Sequence, residues 1–117
     1  MPVDQKIDYL ELPARDLDAV QAFYQQAFHW EFTPYGPDYR AFTDGSINGG
    51  FYRADLQSTT QDGAALIVLY AADLEQTLGK VLASGGKIEK EIFSFPGGRR
   101  FHFCDPNGNE LAVWSDC

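Results

Sequence analysis

The chain has 117 residues, of which 44% are hydrophobic and 15% are aromatic, and it carries a formal net charge of −8 at pH 7. This length supports one compact hydrophobic core and excludes two independent domains, so we expect a single domain over residues 1–117. With 17 Asp and Glu against 9 Lys and Arg, the balance excludes nucleic acid as a partner, because phosphate binding depends on clustered basic side chains.

Two further features bear on location. No apolar run approaches the roughly 20 residues of a membrane-spanning helix. The first residues show no apolar signal segment, and Cys104 and Cys117 lie far apart, without a CxxC motif or a histidine-rich neighbour. We therefore expect a cytoplasmic protein without a membrane partner.

The first half of the chain predicts a strand, a helix and three more strands. Residues 7–13 alternate as in a strand, and Asp16 then precedes a segment whose apolar side chains recur at helical spacing. These side chains are Leu17, Val20, Phe23, Tyr24 and Phe28. Asp16 is expected to cap the amino end of this helix and His29 its carboxyl end. Short strand-like segments follow at residues 30–32, 39–43 and 49–53, separated by turns.

The second half repeats this order of elements. Residues 57–62 are polar and are expected to form a linker without packed side chains. Residues 64–71 then indicate a buried strand, and Asp73 precedes a second helical segment that Gly85 and Gly86 can end in the left-handed conformation. Strand character resumes at residues 87–92, and residues 99–104 and 109–114 predict a hairpin across the turn at 105–108.

The two halves can be superposed by a constant shift of 57 residues. This shift moves Asp16 onto Asp73 and Ala14 onto Ala71. A short match of this kind is common by chance, but here it coincides with the repeated order of elements. Internal duplication of a βαβββ unit is the simplest account.

Three segments of the chain carry a family resemblance. They are LPARDLDAVQAFYQQAFHWEF near the start, YAADLEQTLGKVLASGG in the middle and FHFCDPNGNELAVW near the end, of which the DPNGN turn at residues 105–109 is the most specific motif. In this order and at these distances, they resemble the vicinal-oxygen-chelate superfamily of glyoxalases, bleomycin-resistance proteins and dioxygenases. The resemblance implies an α+β fold. Two βαβββ modules, approximately residues 5–56 and 63–117, would form an incomplete barrel around a cavity, with the helices on its convex face.

Metal-dependent members of this family place one ligand on the first strand and one on the last strand of each module. By the resemblance, these positions fall on Tyr9 and Leu66 in the first strands, and on Ala112 and either Gly50 or Phe51 in the last strands. A divalent cation needs imidazole, carboxylate or thiolate groups at several convergent points. We therefore expect no metal ion and no cofactor, although a slip of one residue would bring Glu11 or Glu110 into these positions.

Strand alternation predicts which side chains line the cavity, because residues two apart share a face. We expect the ligand-binding residues to be Tyr9, Glu11, Tyr70, His102, Glu110 and Trp114. Aromatic rings with a few carboxylates suit a small aromatic or cationic ligand. The alternative is that the tyrosines belong to the core and the glutamates lie in water at strand ends.

Three of the polar residues keep more than one interpretation. Glu11, which stands between two leucines, either binds a ligand cation, acts as a base or makes a structural hydrogen bond. His102 stands between two phenylalanines, so its facing stays open, and a structural histidine is the alternative to a site residue. Cys104, two residues from His102, is expected to be an inert buried thiol.

The sequence supports three functional hypotheses. The first is a metal-independent protein of the bleomycin-resistance type that sequesters a small ligand. The second is a lyase, isomerase or dioxygenase-like enzyme of the same superfamily, and the third is a regulatory module with a vestigial cavity. Because each half builds one open sheet, we also expect a homodimer, with a monomer whose halves close on each other as the alternative.

Overall fold

The computed structural model describes residues 2–117, and each half of the chain folds into one helix and one four-stranded sheet. The helices are α1 (Leu17–Phe28) and α2 (Leu74–Ala83). The first sheet contains β1 (Tyr9–Ala14), β2 (Glu31–Pro34), β3 (Tyr39–Thr43) and β4 (Asn48–Arg53). The second sheet contains β5 (Ile67–Tyr70), β6 (Lys87–Phe95), β7 (Gly98–Cys104) and β8 (Glu110–Ser115). The predicted α+β fold of two βαβββ modules is confirmed.

Both sheets have the same strand order, β1-β4-β3-β2 and β5-β8-β7-β6. The first strand of each module pairs in parallel with the last, where Glu11 is opposite Gly50 and Val68 is opposite Ala112. Glu11 and Val68 are 57 residues apart, whereas Gly50 and Ala112 are 62 apart. The predicted shift of 57 therefore holds for the first strands and fails at the last strands. The two sheets stay separate and do not close into a barrel.

Both helices begin at the predicted caps. The carboxylates of Asp16 and Asp73 accept hydrogen bonds, at 3.2 and 3.0 Å, from the backbone N–H three residues further on. His29 ends α1 in the left-handed conformation, with a φ of 60°, and its N–H donates to the Gln25 carbonyl. The predicted helix end is therefore confirmed. No helix among residues 2–117 is long and apolar enough to cross a membrane.

One hydrophobic core joins the two modules. It contains buried side chains from both helices and from one side of each sheet. The Phe23 ring of α1 lies 5.8 Å from the Phe103 ring of β7, so the first helix packs against the second sheet. Tyr24 stacks on Trp30 at 4.4 Å within the same core. Because both sheets turn one side towards this shared core, the other side of each sheet faces away from it.

The DPNGN turn of the second module is hydrogen-bonded to the first module. The Asp105 carboxylate accepts from the backbone N–H of Asn107 and Asn109, at 2.9 and 3.0 Å, and from the Tyr24 hydroxyl at 2.9 Å. The side-chain amides of Asn107 and Asn109 both donate to the Pro13 carbonyl in β1. These bonds satisfy polar groups that the packing of the two modules removes from water.

The prediction that residues 57–62 form a linker without packed side chains is wrong. The Ser58 N–H donates to Asn109 Oδ1 at 2.9 Å. The backbone N–H and the hydroxyl of Thr60 both donate to Glu110 Oε1, at 3.0 and 2.8 Å. The polar composition of residues 57–62 suggested a segment in contact with water only. Their hydrogen-bond partners are polar groups of the DPNGN turn and of β8, and a hydrophobic pattern in the sequence cannot reveal such partners.

Candidate functional site

All six predicted site residues lie on the sides of the two sheets that face away from the core. We call the outer side of the first sheet the first face, and that of the second sheet the second face. The first face carries Tyr9, Glu11, Tyr39 and Gly50. The second face carries Val68, Tyr70, Arg100, His102, Glu110, Ala112 and Trp114. Leu12 and Phe51, which follow first-face residues, are buried in the core, so the predicted strand phase of β1 is confirmed.

A chain of three side chains crosses the first face. The Tyr39 hydroxyl donates to Glu11 Oε2 at 2.9 Å and lies 2.6 Å from the Tyr9 hydroxyl. Because the single hydroxyl proton of Tyr39 goes to Glu11, Tyr9 is the donor to Tyr39. Burial and then the bonds with Tyr9 and Glu11 raise the pKa of Tyr39 far above its ordinary value. The Tyr39 phenol therefore stays protonated and donates to Glu11, which is held as a hydrogen-bond acceptor.

Of the two candidate last-strand positions of the first module, Gly50 and Phe51, only Gly50 lies on the first face, opposite Glu11. Phe51 is fully buried in the core, on the opposite side of the sheet. A Cβ atom added to Gly50 would overlap the phenol of Tyr39, so the Tyr39 side chain occupies the space above this position. The first face is therefore shaped by a residue that the sequence did not single out.

The residues at the four ligand positions do not fit a divalent cation. They are Tyr9, Gly50, Leu66 and Ala112. Only Tyr9 carries a polar side chain, and its hydroxyl is bonded to Tyr39. Within residues 2–117, no three His, Cys, Asp or Glu side chains converge in a way that could hold a metal ion.

The second face contains a buried pair of His102 and Glu110, whose side chains are 3% and 5% exposed. His102 Nδ1 lies 2.7 Å from Glu110 Oε2, while Oε1 accepts the two bonds from Thr60. Burial is the largest influence on the pKa of Glu110 and acts to raise it. The bonds from His102 and Thr60 together outweigh burial and lower this pKa below its ordinary value. Glu110 is therefore an ionised carboxylate with both oxygens bonded.

Two buried side-chain nitrogens of the second face, one of them in this pair, have no hydrogen-bond partner within residues 2–117. An ionised Glu110 only accepts, so the hydrogen-bond network assigns the proton of a neutral His102 to Nδ1 and leaves a lone pair on Nε2. This Nε2 makes no hydrogen bond within residues 2–117. The other such buried atom in those residues is Nε of Arg100, two positions along β7 on the same face. Since buried polar groups are nearly always paired, the two atoms mark this face as a candidate ligand site.

Aromatic side chains surround Arg100. Its guanidinium carbon lies 5.2 Å from the ring centre of Phe93 and 5.6 Å from that of Phe95. Tyr70 and Trp114 pack edge to face at 5.2 Å, and Tyr70 remains 55% exposed. The second face thus combines flat apolar surfaces, a cationic group and a free lone pair.

Within one chain, Tyr9 and Glu11 do not share a surface with Tyr70 and Trp114. The first pair lies on the first face and the second pair on the second face, and the shared core separates the two. The cleft of about 320 Å³ beside Tyr9 is lined by residues of the first module alone. The concave surface that we expected these four side chains to form together is therefore absent from a single chain.

A cleft of about 440 Å³ between the two modules reaches Val68 and Tyr70 of the second face. Its lining includes Phe28, Trp30 and Phe42 from the first module, and Val68 and Tyr70 from the second. The cleft provides apolar surface next to Tyr70, where the body of a ligand could lie. A larger cleft of about 670 Å³ lies around the DPNGN turn, but the turn's own hydrogen bonds already use much of its polar lining.

Cys104 has the properties of an inert thiol. Burial, and then the carboxylates of Glu89, Glu110 and Asp105, raise the pKa of Cys104 to about 11. Its sulfur lies 3.9 Å from Glu89 Oε2. The thiol is therefore protonated at neutral pH, which disfavours a nucleophilic role.

Three residues that lie on the two faces or hydrogen-bond to them were missed by sequence reasoning. Arg100 could have been found, because alternation along the predicted strand places it on the same face as His102. Tyr39 could have been placed on the outer side of its strand by the same rule, but its overlap with Gly50 needs the sheet register. Thr60 carried no signal, because no periodicity relates a loop residue to its partner.

Comparison with protein families gives a match over nearly the whole chain. Residues 6–113 match the family model described as the Glyoxalase/Bleomycin resistance protein/Dioxygenase superfamily. No curated protein matches the sequence.

Several solved structures share the fold. A glyoxalase-related enzyme from Fulvimarina pelagi has a TM-score of 0.79 at 15% identity, over 95% of this chain and 88% of its own. The genomically encoded fosfomycin resistance protein FosX from Listeria monocytogenes has a TM-score of 0.80 at 17% identity, over 97% of this chain and 94% of its own. Lactoylglutathione lyase from Agrobacterium tumefaciens has a TM-score of 0.72 at 23% identity, over 95% and 93%. At these identities the similarity establishes the fold and no activity.

Proposed function

Since the chain belongs to the Glyoxalase/Bleomycin resistance protein/Dioxygenase superfamily, we propose that it is a metal-independent protein that binds a small molecule on its second face. The apolar or aromatic part of the ligand packs on Tyr70 and Trp114. A polar group of the ligand donates to His102 Nε2. Glu11 of the same chain lies on the first face and cannot contact this ligand, so a cationic group, which the sequence suggested, would need Glu11 of a second chain.

One observation carries this proposal, namely the unpartnered Nε2 of His102 at the end of a hydrogen-bonded series. Thr60 donates to Glu110, and Glu110 accepts the Nδ1 proton of His102. This arrangement fixes the orientation of the imidazole ring before any ligand arrives. Orientation fixed in advance lowers the entropic cost of binding.

The first experiment combines metal analysis with thermal unfolding. A panel of small molecules is screened against protein treated with EDTA and against protein supplied with zinc, manganese or nickel. A ligand of the second face raises the unfolding temperature to the same extent in all samples, because binding to the folded state stabilises it by mass action. Stoichiometric metal in the purified protein, or stabilisation that requires added metal, would contradict the proposal.

Variants at the two histidines localise the effect. His102→Gln abolishes the ligand-induced stabilisation, because the side chain at this position no longer offers the lone pair of a fixed imidazole. His29→Asn is the matched control, since His29 is exposed at the end of α1 and asparagine tolerates its left-handed backbone. Equal ligand responses in the two variants would place the ligand elsewhere.

The hydrogen-bonded pair of His102 and Glu110 favours a second candidate function, that of an enzyme of the superfamily with lyase or isomerase activity. In this pair the carboxylate accepts a hydrogen bond from Nδ1, and the lone pair of Nε2 remains available. A general-base histidine is arranged in this way. His102 would then remove a proton from the bound molecule. Incubation of a ligand from the screen with the protein in D₂O tests this. An enzyme that removes a proton exchanges it for deuterium in the ligand, and His102→Gln should abolish this exchange. A protein that only binds the ligand leaves it unchanged.

We further propose that the protein is a homodimer. Three large side chains of the two outer faces are well exposed, namely Tyr9, Val68 and Tyr70. Docking of the first face of one chain onto the second face of another would cover these side chains. It would also bring Glu11 of one chain towards the second face of the other, which would unite the residues that a single chain keeps apart.

A further inference from the structure

Arg100 differs from the other arginines within residues 2–117. Those four each form an ion pair, with N to O distances between 2.5 and 2.8 Å. The pairs are Arg15 with Asp55, Arg40 with Asp18, Arg53 with Asp38 and Arg99 with Glu75. The side chain of Arg100 has no such partner in the described part of the chain, and its Nε is buried without a hydrogen bond. Arg100 is therefore the arginine without an ion pair among residues 2–117, although the sequence contains 17 Asp and Glu residues.

Phe93 and Phe95 hold the Arg100 guanidinium in place of a carboxylate. Aromatic ring faces attract a cation at the observed distances of 5.2 and 5.6 Å, but the interaction does not use up the N–H donors in conventional hydrogen bonds. The group is therefore partly desolvated, oriented and still able to donate. These are the properties of an arginine that recognises an anion by two parallel hydrogen bonds.

His102 adds the opposite hydrogen-bonding character two residues away. Its Nε2 accepts, whereas the Arg100 guanidinium only donates. Because side chains two apart on a strand share a face and their Cα atoms are roughly 6–7 Å apart, one compact molecule can reach both groups. Nε2 lies on the edge of the imidazole away from the Nδ1 that bonds Glu110, and it is buried without a hydrogen-bond partner within residues 2–117.

Resting on the proposed function of the second face, we propose that its ligand is a small hydroxylated organic acid. The carboxylate of the acid pairs with Arg100, and its hydroxyl donates to His102 Nε2. An aromatic or apolar substituent packs on Tyr70 and Trp114. The ligand class is thus anionic on this face, in contrast to the cationic class that the glutamates suggested from the sequence.

Four probes with a common phenyl ring test the ligand class. Mandelate carries both a carboxylate and a hydroxyl, phenylacetate lacks the hydroxyl, mandelamide lacks the charge and benzylamine carries a positive charge. Binding is measured by calorimetry, and the side-chain NMR signals of Arg100 Nε–H and His102 report the location. We expect mandelate to bind most tightly, phenylacetate more weakly and mandelamide and benzylamine weakest, with both NMR signals moving for mandelate.

Two neighbouring arginines provide the matched variants. Arg100→Gln weakens mandelate binding by roughly tenfold to a hundredfold, the usual effect of losing hydrogen bonds to a charged group. Arg99→Gln leaves it unchanged, because Arg99 lies on the other side of β7 and pairs with Glu75. Equal losses in the two variants, or mandelamide binding as tightly as mandelate, would overturn the anionic assignment.

The probes also separate this inference from the proposed function. If benzylamine moves the His102 signal and mandelate does not, the second face binds small molecules but the anionic assignment is wrong. If no probe moves the signals of either Arg100 or His102 at its highest soluble concentration, the result counts against both proposals.

Discussion

Glu110 shows how a single carboxylate can organise a buried site. Its two oxygens accept from Thr60 and His102, and this pairing lowers the pKa of Glu110 although burial alone would raise it. Because the folded-state pKa is depressed, the ionised group stabilises the fold above the ordinary pKa of a glutamate. That contribution is lost as the pH falls through the lower, folded-state pKa.

Glu110→Gln therefore has a pH-dependent effect on stability. At neutral pH we expect the free energy of unfolding to fall by about 1–3 kcal/mol, the cost of disrupting buried hydrogen bonds to a charged group. The difference from the wild type should shrink as the pH drops below about 4, where glutamates protonate. Urea unfolding at several pH values measures this. Glu91→Gln, on an exposed glutamate of β6, is the control, and an equal loss in that variant would contradict the account.

Gly50 and Tyr39 supply a second residue-scale prediction. Gly50→Ala should destabilise the fold by about 1–3 kcal/mol, because the added methyl group displaces the Tyr39 ring and its bond to Glu11. Gly79→Ala is the control, since nothing lies within 4 Å of the added group and alanine favours a helix, so stability should rise by about 0.5–1 kcal/mol. Thermal unfolding compares the two. The cost at Gly50 should shrink in a Tyr39→Ala background, and an unchanged cost would refute the overlap.

At the scale of elements, the DPNGN turn joins the two modules. Asn109→Ala removes the donor to the Pro13 carbonyl and the acceptor of the Ser58 N–H. We expect a loss of about 1–3 kcal/mol in the free energy of unfolding, because the Ser58 N–H loses its acceptor and the Pro13 carbonyl keeps only the donor from Asn107. Asn48→Ala, at an exposed position in β4, should change stability by less than about 0.5 kcal/mol. Similar losses in both variants would show that the turn does not couple the modules.

The elements that sequence reasoning predicted are those with local signals. The helix caps at Asp16 and Asp73 depend on residues three positions away, and the strand Tyr39–Thr43 was located with its observed bounds. The end of β6 was missed by three residues, and the register of this strand shifts between Ile88 and Phe93, which disturbs its alternation. Residues 57–62 were misjudged, because their partners lie in the turn and in β8, far along the chain.

The candidate site was predictable in part for the same reason. Strand alternation located the side chains of the outer faces, including Tyr70 and Trp114. Whether the two faces form one surface depends on how the modules pack against each other. In the structure, α1 packs against Phe103 of the second sheet, so the core lies between the two faces. No local pattern in the sequence contains that information.

At the scale of the whole molecule, we expect a second copy of the chain to cover the exposed outer faces of the two sheets. Light scattering at low micromolar concentration should give a mass near twice 13.1 kDa. Tyr70→Glu should shift the equilibrium towards the monomer, because it places a charge on an apolar face, whereas Leu82→Glu on exposed α2 should not. A mass near 13.1 kDa that persists as the concentration rises would mean that each face works within one chain.

Binding of a small molecule to the second face through His102, without a metal ion, is our proposal for this protein, and NMR of its histidines tests it directly. The chain has two histidines, so the long-range ¹⁵N signals of their imidazole rings can be assigned with single variants. In protein treated with EDTA, the free protein should show the proton of His102 on Nδ1. A stabilising ligand from the screen should then move the Nε2 signal of His102 and leave that of His29 unchanged. A His102 signal that stays in place with bound ligand, or that moves only after a divalent metal is restored, would contradict the claim.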